Sequence, residues 1–149
     1  MGNSVSSSLP ELAHVANCDT ARFMGAWFVI GVKPTMFETT CSNAVERYTL
    51  LDNDKSHDVN IDFQYNQKDP LTSPKKSLPQ KAWVQGDRTN SGLWKISPVW
   101  PIKVPYAIIE LDEKDYSYCV IGYPYVPMIP RSNPYLNSVI QSSNSLLYF

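Results

Sequence analysis

From residue 23 onward, apolar positions recur in short runs with period-two alternation, divided by turns rich in Asp, Asn, Pro and Gly. Residues 59–65 are the cleanest case, with Val59, Ile61, Phe63 and Tyr65 on one face and Asn60, Asp62 and Gln64 on the other. Comparable runs occupy 23–32, 43–51, 81–86, 93–97, 106–111 and 116–123. An eighth, 126–131, carries Pro127 and Pro130, which remove ladder donors and mark an edge or distorted strand. Polar turns at 51–55, 69–74, 87–92 and 112–115 separate the runs. Near the end the period changes. Leu136, Val139, Ile140, Ser143, Leu146 and Leu147 fall near helical spacing, which predicts a short amphipathic helix. The fold expected is all-β, an eight-stranded up-and-down antiparallel barrel with a short C-terminal helix. Closure removes exposed edges, and about eight strands leave room for one small ligand. Residues 1–20 read as an irregular leader with a helical turn over 11–16, and residues 21–149 as one domain.

Composition narrows the possibilities. The chain has 149 residues, 43% hydrophobic and 18% charged, which suits one globular domain. A net charge of −1 and the lack of a basic run argue against nucleic acid as partner. No apolar stretch approaches the roughly 20 residues of a membrane helix. Nine Tyr, five Phe and four Trp suit both strands and the walls of an apolar cavity.

The first residues, Met1-Gly2-Asn3-Ser4-Val5-Ser6, lack the charged and apolar regions of a secretory signal and match the myristoylation pattern Met-Gly-x-x-x-Ser/Thr, with Gly2 as acceptor. One acyl chain gives only marginal, reversible membrane binding, and no Lys or Arg precedes Arg22 to strengthen it. The expectation is a cytoplasmic protein that visits membranes as a peripheral lipoprotein. Cys18, Cys41 and Cys119 form no CxxC pair and no metal-ligand spacing, so they are expected to be thiols, with no metal and no cofactor. His14 and His57 stand alone and read as solvated.

Three segments in order resemble those of the lipocalin family. Phe23-Met24-Gly25-Ala26-Trp27 looks like the Gly-x-Trp opening of the first strand. Leu111-Asp112-Glu113-Lys114-Asp115-Tyr116 looks like the acidic turn between the sixth and seventh strands. Residues 125–134, with Arg131, are a reduced form of the third. Stretches 37–50 and 104–109 are similar to apolipoprotein D, with bacterial outer-membrane and plant temperature-induced lipocalins sharing the pattern. The resemblance implies structural roles for Gly25, Trp27, Asp112, Tyr116 and Arg131, with the Arg131 guanidinium laid over the Trp27 indole. The plainer alternative is a core Trp and a surface Arg.

Matching the strands to the family's inward positions selects a lining of Val29, Ala44, Glu46, Tyr48, Ile61, Phe63, Tyr65, Trp94, Ile96, Tyr106, Ile108, Tyr118, Val120, Tyr125 and Ile129. On 81–86 either Trp83 or the pair Ala82 and Val84 faces in. Glu46 is costly inside an apolar barrel unless paired or wetted, and a register slip turns it outward. Such a lining suits non-covalent sequestration or transport of a fatty acid, lysophospholipid or sterol, with a protective role in membrane stress; it equally suits a solid core. No catalytic set is evident. An isomerase needs an inward thiolate, and parity with Tyr118 and Val120 turns Cys119 outward. The competing readings are a lipocalin-fold isomerase or de-epoxidase, and a myristoylated adaptor with an empty barrel. The expected form is a monomer or weak dimer.

Overall fold

The computed structural model describes residues 13–32, 41–53 and 55–122, with the backbone of Tyr123 and of 137–142. A one-turn helix, α1 (Thr20–Phe23), precedes eight strands. These are β1 (Gly25–Val32), β2 (Cys41–Leu50), β3 (Val59–Gln67), β4 (Lys75–Val84), β5 (Leu93–Ser97), β6 (Val104–Leu111), β7 (Tyr118–Tyr123) and β8 (Asn137–Ser142). They close into a barrel in chain order, each antiparallel to its neighbours. This is the up-and-down barrel that the alternation predicts.

The closing strand lies where a helix was expected. β8 pairs through its backbone with β1 on one side and β7 on the other. Val139 and Ile140 satisfy either period in so short a segment. Two open strand edges decide the matter, because a strand between them completes both ladders. The run at 126–131 lies outside the described residues, as do Tyr125, Ile129, Arg131 and Gly2.

Two further boundaries moved. β4 begins at Lys75 rather than 81, and its first half pairs with β3 alone, since β5 reaches no further than Lys81. Pro79 therefore sits on a locally open edge, where a missing donor costs little. Residues 13–16 form no helix; the Val15 amide instead donates to the Ile108 carbonyl at 2.8 Å. Val15 packs so closely on Gly92 that any Cβ there would approach its carbonyl oxygen to 2.5 Å. Cys18 and Thr20, within the expected leader, are fully buried against the barrel.

Cross-strand neighbours share a face, so burial at one strand fixes the next. Ala82 and Val84 point inward opposite Ile96 and Trp94, and Trp83 points out. β7 overturns its expected parity. Cys119 and Ile121 are buried in the core, while Tyr118 stands outside and its hydroxyl donates to Glu110 Oε1 at 3.1 Å. The cause is an irregularity in β6 between Ile108 and Glu110, which places Leu111 opposite Cys119 and Glu110 opposite Val120. Tyr118 and Val120 are thus not lining residues.

Candidate ligand-binding site

The site is best built from its floor. Gly25 has φ +111°, a conformation that L side chains rarely adopt, and it turns the chain from α1 into β1. Trp27 then lies inside, stacked on Phe23 with ring centroids 4.8 Å apart, its Nε1 donating to the Phe23 carbonyl at 2.8 Å. Phe23 meets Tyr48 and Trp94 edge-on at 5.1 and 5.4 Å, which completes an aromatic plug. The Arg131–Trp27 stack lies outside the described residues, but a stacked cation is present beside the acidic turn. Arg22 lies 4.1 Å above the Tyr116 ring and donates to the carbonyls of Glu113 and Lys114 at 3.2 and 2.7 Å. Tyr116 in turn accepts from the Asp19 amide at 2.9 Å. Asp112 accepts from the amides of Lys114, Asp115 and Ser117 and from the Ser117 hydroxyl, and these bonds hold its carboxyl below the usual range. The acidic turn is therefore a structural clamp.

Above the plug, Glu46 points inward from β2, opposite Trp27 on β1 and Phe63 on β3. The hydroxyl of Tyr48 donates to Glu46 Oε2, and that of Tyr106 lies 2.6 Å from the Tyr48 oxygen and 3.1 Å from the same carboxylate oxygen. Burial, and then the charge of Glu46, push both phenols well above their ordinary value. Both phenolic protons are consumed within this cluster.

β1 and β2 pair only from Gly25 to Phe28. Beyond that point β2 is irregular between Ser42 and Val45, with Asn43 at φ +50°, and Val29–Val32 pair with β8 alone. A cavity of about 280 Å³ opens in this seam. Val29–Val32 form one wall and Cys41–Ala44 the other, with Glu46 and Phe63 at its inner end. Tyr65 stacks on Phe63 at 5.2 Å.

The structure thus divides the expected lining. Val29, Ala44, Glu46 and Phe63 meet at the cavity, with Tyr65 beside them. Tyr48, Ile61, Trp94, Ile96, Tyr106 and Ile108 are inward but belong to the packed core beneath it. Phe23, Leu111, Cys119 and Ile121 also belong to that core and were not anticipated. A groove of about 490 Å³ lies outside the closed end, between Asn17–Arg22, Arg88–Asn90 and the acidic turn. Its cations are engaged by the protein, Arg22 as above and Arg88 through Asp58 at 2.8 Å. The described residues contain no group of three or more potential metal ligands.

A family model described as a lipocalin-like domain matches residues 18–129, well over half of the chain. The chain belongs to the lipocalin family. Solved lipocalins share its fold at low identity. Insecticyanin from the tobacco hornworm Manduca sexta is 15% identical with a TM-score of 0.66, over 94% of this chain and 71% of that one. The cockroach allergen Per a 4 is 12% identical with a TM-score of 0.62, over 90% and 74%. Lobster apocrustacyanin A1 is 12% identical with a TM-score of 0.57, over 95% and 79%. No curated protein matches in sequence, so the finer likeness to apolipoprotein D rests on motifs alone. Members of this family typically bind small hydrophobic ligands.

Proposed function

We propose that this lipocalin is a non-catalytic carrier that sequesters or transports a fatty-acid, lysophospholipid or sterol ligand in the cavity between β1 and β2. The observation that carries this reading is the split of the barrel interior into a solid aromatic floor and an open seam lined by Val29, Gly31, Ala44 and Phe63. The volume, about 280 Å³, is just below the roughly 300–1,000 Å³ usual for ligand pockets, which within this class ranks the slender chain of a fatty acid or lysophospholipid ahead of the fused rings of a sterol. Because Tyr48 and Tyr106 spend their protons within the Glu46 cluster, the inner end presents acceptors. A ligand group reaching it is one that donates, such as a hydroxyl.

Titration with a fluorescent fatty-acid analogue, displaced by unlabelled lipids, tests this. Phe63→Asp is expected to weaken the probe by roughly 10- to 100-fold, from the lost burial of one aromatic side chain. Displacement by no lipid, or unchanged affinity in Phe63→Asp, refutes the carrier reading and favours the adaptor.

The inward position of Cys119 lends geometric support to the isomerase alternative. Chemistry opposes it. Burial, followed by the charge of Glu46, pushes the thiol upward, so the nucleophilic thiolate is suppressed. Myristoylation at Gly2, cytoplasmic residence and a protective role in membrane stress belong to the same proposal and rest on the sequence pattern. Mass spectrometry of the protein from its own cell tests the acyl group, with an unmodified Gly2 as the contrary result.

A further inference from the structure

We propose that the β5–β6 loop and the outer face of β4 form a docking surface for anionic lipid. Residues 98–103 read Pro-Val-Trp-Pro-Ile-Lys, and Val99, Trp100 and Ile102 are 64%, 62% and 51% exposed. Three adjacent large apolar side chains in water on one short loop are unusual for a soluble surface unless they meet something.

The loop is held against the barrel wall. The Ile102 amide donates to the Val99 carbonyl at 2.9 Å, and Trp100 lies 6.2 Å from Trp83 on β4. Trp83 is anchored in turn by its Nε1, which donates to the Ser56 carbonyl at 2.9 Å. Lysines surround this pair. Lys103 Nζ sits 3.9 Å over the Trp83 ring and 5.9 Å from that of Trp100, and Lys81 Nζ lies 5.2 Å over Trp100. Lys95 is the cross-strand neighbour of Trp83 on the same outer face. Lys81, Lys95 and Lys103 make no ion pair among the described residues. The sequence holds no basic run, yet the fold gathers cations from β4, β5 and a loop around an apolar tip.

This chemistry selects its partner. Lysines ringing an exposed Trp, Val and Ile match the boundary of a bilayer, where aliphatic and aromatic groups enter the headgroup layer and ammonium groups meet anionic lipid. A polynucleotide would use the lysines and stack on Trp100 but has no need of Val99 and Ile102. The patch would also supply the second signal that a lone acyl chain requires for stable attachment.

Flotation of the unacylated full-length chain with phosphatidylcholine–phosphatidylserine vesicles, compared with pure phosphatidylcholine, tests the proposal. Binding to the anionic vesicles only, weakening with salt, is expected. The double change Lys81→Glu with Lys103→Glu should weaken it at least about twentyfold, roughly fivefold for each cation removed. Trp100→Ser should weaken it on the order of tenfold. Lys114→Glu, at the opposite end of the barrel, should leave it unchanged. The fatty-acid probe should bind all these variants as it binds the parent, which shows that they fold and separates failure of docking from failure of the carrier reading. No flotation with anionic vesicles, equal flotation with both lipids, or binding that survives both patch variants overturns the proposal. So does single-stranded DNA binding by the parent in the absence of vesicle binding.

Discussion

The two ends of the barrel are made from the same strands, yet one is solid and the other split. At the base, Phe23, Trp27, Tyr48 and Trp94 touch ring to ring and are almost wholly removed from water. At the mouth, β1 leaves β2 after Phe28, Ile30 and Val32 remain substantially exposed, and Phe63 and Tyr65 stack at the edge of a cavity. Under the proposed carrier reading, stability and binding are allotted to different layers. A substitution in one layer should leave the property of the other nearly intact.

The sharpest test of that division sets Trp94→Ala against Phe63→Ala in urea unfolding. Trp94 is fully buried, and its loss should cost about 3–5 kcal/mol. Phe63 is half-buried, and its loss should cost on the order of 1 kcal/mol while damaging probe affinity far more. Equal losses of stability would show that the mouth is packed core, and the split between layers would fail.

The sequence exposed this division unevenly, for physical reasons. β3 was legible because its outward residues Asn60, Asp62 and Gln64 are polar, so only one parity buries an apolar face. β7 was not, because Tyr118, Cys119, Val120 and Ile121 are apolar on both parities and the β6 irregularity that sets their direction is a tertiary feature. The first half of β4 was not legible because Lys75–Pro79 are all exposed, so no buried face imposes an alternation there. The site was half legible. Phe63 followed from the alternation of β3 and Glu46 from the family's inward positions, but no local pattern records that β1 and β2 part after Phe28.

The polar cluster between the layers gives a smaller effect with a defined sign in pH. Tyr48 and Tyr106 stay protonated in the fold above their ordinary value of 10.0, chiefly through burial. A raised folded value gives stability that is complete below pH 10 or so and is lost as pH rises through it. The urea midpoint should hold steady to about that pH and then fall. Tyr106→Phe should cost about 1–3 kcal/mol at neutral pH, from hydrogen bonds lost to Tyr48 and Glu46, and should make the alkaline decline shallower. An unchanged alkaline limb would mean that the cluster is open to water and belongs to the mouth.

The three cysteines also mark the layers. Cys18 and Cys119 lie in the base, and burial pushes Cys18 up to about 12 and Cys119 in the same direction. Cys41 opens β2, is half-buried and lines the cavity. At neutral pH a thiol reagent should label Cys41 first in the folded protein, and a bound lipid should slow that labelling by covering the same wall. Cys18 and Cys119 should react only as fast as the barrel unfolds. Peptide mapping after brief exposure to iodoacetamide distinguishes the sites, with Cys41→Ser as the control that removes the fast phase. Rapid labelling of Cys119 would place its thiol in reach of solvent and ligand. That result would move the boundary between the layers down to Leu111 and reopen the barrel to thiol chemistry.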